Sequence, residues 1–187
     1  MISLGKRNLL EKALKDDSFF LLFGNTEKRR NGDVFYPFRQ DSDILLLTEV
    51  ASPGIVLTCK KHWWQCEWRI FSDPISDHEK LWGTDRLSYS EIAEISGIQN
   101  ISPISTLSPY ISDVMQDISN IYTTRNAENP YFEELDSYGW VFHALYEVLE
   151  PLRMIKSEEE VASIRKAISV THEAYLALKE GILPGMY

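Results

Sequence analysis

The feature that most constrains the fold is residues 18–23, which read SFFLLF and are followed by Gly24 and Asn25. The run is continuously apolar, and a Gly-Asn pair ends regular structure. A strand that lacks an alternating polar side is buried on both faces, as central strands of helix-covered sheets are. The sequence therefore predicts a central strand at residues 18–23.

Three further segments are predicted to be strands near this one. Residues 44–47 form a short apolar run, and residues 54–59 follow a Ser-Pro-Gly turn. Residues 62–70 alternate, so that Trp64, Cys66 and Trp68 point to one side, as in a half-buried strand. This alternation puts two of the three tryptophans at positions 63, 64 and 68 in a core, with an aromatic stacking platform as the alternative.

Helical spacing recurs between these strands. Helices are predicted at residues 3–14, at residues 88–95 with Ser90 as the N-cap, at residues 107–115, and at residues 138–150, stopping before Pro151. Further strands are predicted near residues 98–101 and 118–122. Strands that alternate with helices indicate an α/β domain.

A last helix is predicted after a boundary at residues 151–156. Ser157 and Glu160 have the spacing of a capping box, and Gly181 is a natural stop. Its buried face is predicted from the apolar spacing of Val161, Ile164, Ile168, Thr171, Tyr175 and Leu178. This helix is long for the last element of a small domain.

Composition narrows the partners and the compartment. The chain has 187 residues and a formal net charge of -9, which disfavours nucleic acid as a partner. No apolar run approaches the roughly 18 residues of a membrane span, and no signal-type apolar core follows the first residues. The expected location is the cytoplasm. Cys59 and Cys66 are too few for a disulfide framework and are expected to be reduced, with Cys66 in the core.

Residues 31–48 form a polar, turn-prone segment that leads into the apolar run at 44–47. Its polar side chains suit a structured loop, a ligand cleft or a subunit contact equally. Arg39 is predicted to be the polar anchor, because a guanidinium can bind two loop carbonyls, or a carboxylate such as Asp43. Asp41, Ser42 and Asp43 are interpreted as caps and loop hydrogen bonds rather than metal ligands, because no third ligand lies nearby.

No self-sufficient active site is recognisable. The chain has no nucleophile elbow, Walker loop or glycine-rich dinucleotide motif, and its four histidines are scattered. No residue is predicted to be catalytic or to bind a metal. Trp82, with Gly83, ends a turn-rich segment predicted to be an exposed loop, residues 72–83. Lining a ligand pocket, packing in an oligomer interface and partial burial all remain open for Trp82.

Several motifs resemble those of one family. YPFRQDSD at residues 36–43, followed by Thr48, is similar to the Y-P-[YF]-R-Q-x-S-D…T-G motif of the amino-terminal domain of Xaa-Pro aminopeptidases. Trp82-Gly83 resembles the W-x-G loop of that family without its middle residue, and Glu49 stands where the family has glycine. RMIKSEEEV at residues 153–161 resembles the segment that opens the catalytic domain. LPGM at residues 183–186 resembles the motif after its first helix.

The resemblance implies a mixed sheet flanked by helices, similar to the amino-terminal domains of creatinase and aminopeptidase P. Residues 1–152 would be this domain, and residues 153–187 the linker and first helix of a truncated "pita-bread" metallopeptidase domain. The matching motif positions are Tyr36, Arg39, Gln40, Ser42 and Asp43, and the family implies that Asp33 and Trp82 approach a substrate cleft or an interface.

The resemblance also implies a hydrolase that releases the first residue of peptides with proline in second position. Its two metal ions, usually manganese, are held by two Asp, one His and two Glu, none of which is assigned in this chain. The chain alone is expected to be inactive, and a homo-oligomer is expected. The alternatives are a stand-alone, non-catalytic binding or assembly module and the same domain of a prolidase, although Ser42 and Asp43 favour the aminopeptidase.

Overall fold

The computed structural model describes residues 2–82, 86–124, 131–137, 139, 141–182 and 185, without the side chains of 78, 80, 82, 132 and 134. The helices are α1 (Ile2–Ala13), α2 (Ser42–Thr48), α3 (Asp77–Trp82), α4 (Tyr89–Ser96), α5 (Leu107–Val114), α6 (Phe132–Ser137), α7 (Leu145–Met154) and α8 (Glu158–Gly181). The strands are β1 (Ser18–Phe23), β2 (Arg29–Asn31), β3 (Val34–Phe35), β4 (Val56–His62), β5 (Gln65–Phe71), β6 (Ile101–Ser102), β7 (Asn120–Thr123) and β8 (Val141–Ala144).

A mixed six-stranded sheet in the order β6-β5-β4-β1-β7-β8 organises the chain, and β2 and β3 form a separate hairpin. The predicted central strand is confirmed, because β1 pairs with β4 antiparallel and with β7 parallel. Phe20 and Leu22 join the apolar cluster under α1, α2, α4 and α7. Phe19 and Leu21 join the cluster under α5 on the other face. The α/β class and the mixed, helix-flanked sheet are therefore confirmed.

The predicted strand at residues 44–47 is wrong, because this run lies in α2. The Asp41 carboxylate caps the helix by accepting hydrogen bonds from the backbone amides of Asp43 (2.8 Å) and Ile44 (3.1 Å). Glu49 ends it in the left-handed conformation, with φ of 62°. Ile44 and Leu47 are buried in the core. A four-residue apolar run is too short to show the period of a helix or of a strand. The Asp41 cap, which lies just before the run, favours the helix.

The prediction of a helix at residues 138–150 is also wrong, at both the start and the end of the helix. Residues 141–144 form β8, which pairs parallel with β7, so sheet pairing overrides the local helical spacing. The helix proper, α7, begins at Leu145 and continues through Pro151 to Met154. Pro151 cannot donate a backbone hydrogen bond, but buried Leu152 anchors the turn that follows it. Tyr138 lies outside the described residues.

The alternating pattern at residues 62–70 is interrupted by a turn. Trp63 and Trp64 connect β4 to β5, and Trp63 has a φ of +55°. Trp63 is 59% exposed and Trp64 is 82% exposed, so the predicted burial of Trp64 is wrong. Trp68 and Cys66 are both partly buried and both pack against the core, on the side that the alternation predicts.

Two smaller corrections concern the helices that follow. Ser88, not Ser90, caps α4, because its side chain accepts a hydrogen bond from the Glu91 amide while the Glu91 carboxylate accepts one from the Ser88 amide. The segment predicted to be a loop at residues 72–83 contains α3, whose last residue is Trp82.

Helix α1 lies at the meeting point of three other helices. The buried Arg7 guanidinium donates to the carbonyl oxygens of Leu47 (2.6 Å) in α2 and Ser96 (2.8 Å) in α4. The Lys6 ammonium donates to those of Leu152 (2.7 Å) in α7 and of Ile155 (2.9 Å) just after it. The last carbonyls of a helix lack intrahelical partners and carry partial negative charge, so cations stabilise them.

The predicted start and end of α8 are confirmed, but its predicted burial is wrong. The Ser157–Glu160 capping box forms, and the helix ends at Gly181. No residue of α8 is buried, because none of the other described elements covers its apolar side. Across the described ranges, none of the helices combines the length and apolar character that a bilayer crossing requires.

Candidate functional site

Gln40 fixes the course of the polar segment between β1 and α2. Its buried side-chain oxygen accepts hydrogen bonds from the backbone amides of Asn25 (2.8 Å) and Asp41 (2.9 Å), and its nitrogen donates to the Ser52 carbonyl (2.5 Å). A Cβ atom on Gly24 would lie 2.8 Å from the Gln40 oxygen. A buried amide with several partners and no room beside it holds one geometry. Gln40 is therefore the anchor of this segment.

The prediction that Arg39 is the anchor is wrong. The Arg39 side chain is exposed, and its backbone carbonyl accepts a hydrogen bond from the Asn25 side chain (3.0 Å). The carboxylate proposed as its partner, Asp43, instead accepts a hydrogen bond from Arg153 (2.9 Å). The amide of Gln40 both donates and accepts, which suits a mixture of backbone N–H and C=O groups better than a guanidinium does.

Asp41, Ser42 and Asp43 form the start of α2, as the cap interpretation predicts. Asp41 is the N-cap and Ser42 is the first helical residue. Burial raises the pKa of Asp43, and the charge of Asp41 adds to this effect, while Arg153 opposes it. The Arg153–Asp43 ion pair therefore offsets part of the cost of burying this carboxylate at the edge of the cleft.

The β2–β3 hairpin projects two cation–aromatic pairs from the sheet. The Arg29 guanidinium lies 5.7 Å from the centre of the Phe35 ring, and that of Arg30 lies 5.9 Å from the Tyr36 ring. Phe35 and Tyr36 are nevertheless exposed. Asp33 lies in the turn at the tip of the hairpin and is exposed as well. The hairpin thus presents an aromatic surface with a carboxylate at its end.

A cleft of about 730 Å³ opens where β1, β7 and β8 end. These strands run parallel, so their carboxyl ends meet at one edge of the sheet, the usual place for a ligand in α/β folds. The cleft is lined by Leu22, Phe23, Gly24, Asn25, Thr26, Lys28, Asp41, Asp43, Thr123, Thr124, Ala144, Leu145 and Tyr146. It is polar on the Asn25–Lys28 and Asp41–Asp43 side and apolar towards β1.

The comparisons with known proteins identify the family. The protein-family model described as "Aminopeptidase P, N-terminal domain" matches residues 5–122 of this chain. The chain belongs to this family. The Xaa-Pro aminopeptidase of Haemophilus influenzae is 24% identical over 186 residues, which cover 97% of this chain and 43% of that protein. Mitochondrial intermediate cleaving peptidase 55 of Arabidopsis thaliana is 25% identical over 179 residues, covering 92% and 36% respectively.

Solved structures of family members have the same fold. The low-pH form of Escherichia coli aminopeptidase P gives a TM-score of 0.89 at 22% identity, over 100% of this chain and 46% of that chain. A zinc-substituted complex of the same enzyme with product gives the same values. This chain therefore spans less than half the length of the relatives it matches. Within the described residues, no three His, Cys, Asp or Glu side chains are grouped so that they could hold a metal ion.

One ion pair attaches α8 to α1, and a second attaches the end of α7 to α2. The Lys6 ammonium lies 3.0 Å from a Glu160 carboxylate oxygen, in addition to its two carbonyl contacts, so all three of its protons have acceptors. The Arg153–Asp43 pair makes a second connection, from the end of α7 to the start of α2. The first turn of α8 is thus attached to α1, and the segment before it to the edge of the cleft.

The predicted site residues are only partly brought together. Gln40, Asp41 and Asp43 lie at or beside the cleft, whereas Asp33 lies at the hairpin tip. The Trp82 side chain and Gly83 lie outside the described residues. Sequence reasoning did not find Lys6 and Arg7. The signal was present, because they lie four and three residues before the buried Leu10, on the inward face of α1.

Proposed function

We propose that this chain is the amino-terminal domain of a Xaa-Pro aminopeptidase, with residues 153–187 as the linker and first helix of its catalytic domain. The observation that carries this proposal is the match of residues 5–122 to the family model. The structural match to E. coli aminopeptidase P supports the second part, because it extends over the whole chain, α8 included. Such an enzyme would remove the first residue from peptides with proline in second position.

In this proposal the chain contributes binding surface rather than catalytic groups. The cleft at the ends of β1, β7 and β8 would be one wall of the substrate site, and Asp33 on its exposed hairpin would reach towards the catalytic domain. Trp82 is proposed as a second residue of this cleft or of a subunit interface. The exposed aromatic rings of the hairpin also suit a contact between protomers of a homo-oligomer.

The two metal ions expected in the complete enzyme, usually manganese in the family, would supply Lewis-acid activation of a water molecule and of the scissile carbonyl. No described residue of this chain is proposed as a ligand, since none belongs to a suitable group. Within this chain, the ion pair between Lys6 and Glu160 attaches the first turn of α8 to α1. The cytoplasmic location stays a prediction from the sequence.

A peptidase assay tests the proposal. The 187-residue chain and the full-length protein are each incubated with Mn²⁺ and a peptide that has proline in second position, and with a matched peptide that has alanine there. We expect the full-length protein to cleave only the proline peptide and the chain alone to cleave neither. Turnover by the chain itself that a chelator abolishes would contradict the proposal.

Two relatives named intermediate cleaving peptidase 55 support a second candidate, because their identities of 25% and 24% are as high as the 24% and 23% of two relatives named Xaa-Pro aminopeptidase. If the full-length protein cleaves the alanine peptide as well as the proline peptide, this second assignment is favoured. A non-catalytic binding or assembly module is the other alternative. Reading the gene beyond residue 187 decides it, because the module predicts a stop codon and the enzyme predicts a downstream D…D…H…E…E pattern.

A further inference from the structure

The β2–β3 hairpin concentrates positive charge on an acidic chain. The chain has a formal net charge of -9, yet residues 27–39 contain four cations and only two carboxylates, Glu27 and Asp33. The four cationic side chains and the two aromatic rings that accompany them are all exposed. Together they form the basic hairpin surface, which consists of Lys28, Arg29, Arg30, Phe35, Tyr36 and Arg39. Such a surface attracts an anionic ligand.

The cations of the basic hairpin surface lack acidic partners of their own. In the part of the chain that the structure describes, no carboxylate forms an ion pair with any of them, whereas Lys60, for example, pairs with Asp117 at 2.8 Å. The guanidinium groups of Arg29 and Arg30 lie over aromatic rings instead. A guanidinium that lies over a ring keeps its N–H edge free to donate two parallel hydrogen bonds to a carboxylate. These cations are therefore available to the carboxylates of a ligand.

The basic hairpin surface is fixed beside the cleft at the ends of β1, β7 and β8. The Tyr36 amide donates to the Lys28 carbonyl (3.0 Å), and the Asn25 side chain donates to the Arg39 carbonyl (3.0 Å). A hollow of about 220 Å³ lies at this base of the hairpin. Three of its lining residues, Asn25, Thr26 and Lys28, also line the cleft. A peptide that occupies the cleft can therefore continue onto the basic hairpin surface.

The distribution of charge indicates which kind of anion fits. A nucleic acid carries a charge at every phosphate, and the net charge of -9 would repel it outside the hairpin. Asp41 and Asp43 line the cleft and disfavour an anion there. A peptide can place acidic side chains against the hairpin alone and keep uncharged residues in the cleft. An acidic peptide segment therefore matches these charges better than a continuous polyanion does.

We propose that the basic hairpin surface binds acidic residues of a peptide substrate whose first residues occupy the cleft. This inference rests on the proposed function, which makes the cleft a wall of the substrate site. It adds a substrate class, namely peptides with proline in second position and Asp or Glu further along the chain. Arg29 and Arg30 are its specificity-determining residues. Because they bind substrate away from the reacting atoms, they should lower KM and leave kcat unchanged.

Binding to the 187-residue chain is measured by fluorescence anisotropy with three labelled peptides. The peptides share an Ala-Pro start and carry three Glu, three Gln or three Lys residues after it. An exposed ion pair contributes a factor of up to about five in affinity, so we expect the Glu peptide to bind about 10-fold more tightly than the Gln peptide at low salt. High salt should remove this advantage. The Lys peptide should bind most weakly.

Two double variants test which cations are responsible. Replacing Arg29→Gln together with Arg30→Gln should remove most of the preference for the Glu peptide. Replacing Lys12→Gln together with Lys15→Gln removes the same charge from exposed positions outside the hairpin, and should preserve the preference. The comparison among the three peptides needs no variant, so a folding defect in a variant leaves the test intact.

Cleavage by the full-length protein separates this inference from the proposed function. We expect a lower KM for the Glu peptide than for the Gln peptide, at equal kcat. Equal binding and equal KM for the two peptides would overturn the inference and leave the peptidase assignment standing. Selective binding of the Glu peptide without any cleavage would contradict the peptidase assignment instead.

Two further outcomes would overturn the inference in favour of another partner. Tighter binding of an oligonucleotide with the same number of charges as the Glu peptide would indicate a nucleic-acid surface. A change of oligomer mass in the Arg29 and Arg30 double variant, without any preference of the original chain for the Glu peptide, would indicate a contact with a second copy of the chain.

Discussion

Replacing Lys6 with methionine should destabilise the chain well beyond what one lysine on a helix usually contributes. The Lys6 side chain is 6% exposed and has three acceptors, at 2.7, 2.9 and 3.0 Å. Hydrogen bonds to a charged group contribute about 1.5–3 kcal/mol each, and breaking a buried ion pair costs about 3–5 kcal/mol. Two facts make the expected loss smaller than the sum of these contributions. The Glu160 side chain remains 20% exposed, and methionine carries no charge that would have to be desolvated. We therefore expect the free energy of unfolding to fall by about 3 kcal/mol.

Urea unfolding of the Lys6→Met chain measures this loss, and Lys12→Met is the matched control. Lys12 lies on the same helix with an exposed side chain, so its replacement should change the free energy of unfolding by less than about 0.5 kcal/mol. Hydrogen exchange should also become faster in the first turn of α8, because Glu160 loses its attachment to α1. Equal stabilities of the two variants would refute the argument that Lys6 stabilises both the end of α7 and the first turn of α8.

The stability difference between the original chain and Lys6→Met should depend on pH through the Glu160 carboxylate. Burial by itself would raise the pKa of Glu160, but the hydrogen bond from the Ser157 amide and the contacts with Lys6 lower it overall. A lowered pKa in the folded chain contributes stability above the unfolded value, about 4.3, and this contribution disappears as the pH falls through the folded value. The difference between the original chain and Lys6→Met should therefore shrink in acid. A difference that grows in acid would contradict the assignment.

Three further substitutions test other parts of the structure. Gly24→Ala should cost about 2–4 kcal/mol in urea unfolding, because the new Cβ would lie 2.8 Å from the Gln40 oxygen and 2.9 Å from the Ile55 carbonyl oxygen. Burial raises the pKa of Tyr110 to about 12, so comparison with Tyr110→Phe in an absorbance titration should reveal one phenol that ionises near that pH. Trp82→Ala in the full-length protein should lower peptidase activity or weaken assembly more than it lowers fold stability; unchanged activity and oligomer mass would remove it from the site.

The sequence predicts an element well when several local signals agree. Residues 18–23 combine an apolar run with a Gly-Asn stop, and residues 157–181 combine a capping box with a terminal glycine; both appear as β1 and α8. Residues 44–47 and 141–144 lack such agreement. The Asp41 cap makes the first a helix, and pairing with β7 makes the second a strand. Pairing across the sheet depends on residues far away in the chain, so a local pattern does not contain it.

The candidate site was predictable in its location more than in its contacts. The motif at residues 36–43 does lead to the edge of the cleft, and the cap role of Asp41 follows from its residue type. The anchoring role of Gln40 does not follow from the sequence, because Arg39 and Gln40 are adjacent and only the backbone geometry decides which side chain points inward. Lys6 and Arg7 are in register with Leu10, but charged residues on an apolar stripe are normally read as exposed.

The contacts of α1 with residues much later in the chain have a consequence for synthesis. Lys6 and its acceptor at Leu152 are 146 residues apart, and Arg7 is 40 and 89 residues from its two acceptors. Chains are synthesised from the amino terminus at about 5–20 residues per second, so Lys6 waits roughly 7–30 s for its acceptor. During that interval α1 holds two cations on its inward face without their final acceptors. Helix α1 is thus made before the helices whose carbonyl groups it binds, and its contacts are complete only after α7 has been synthesised.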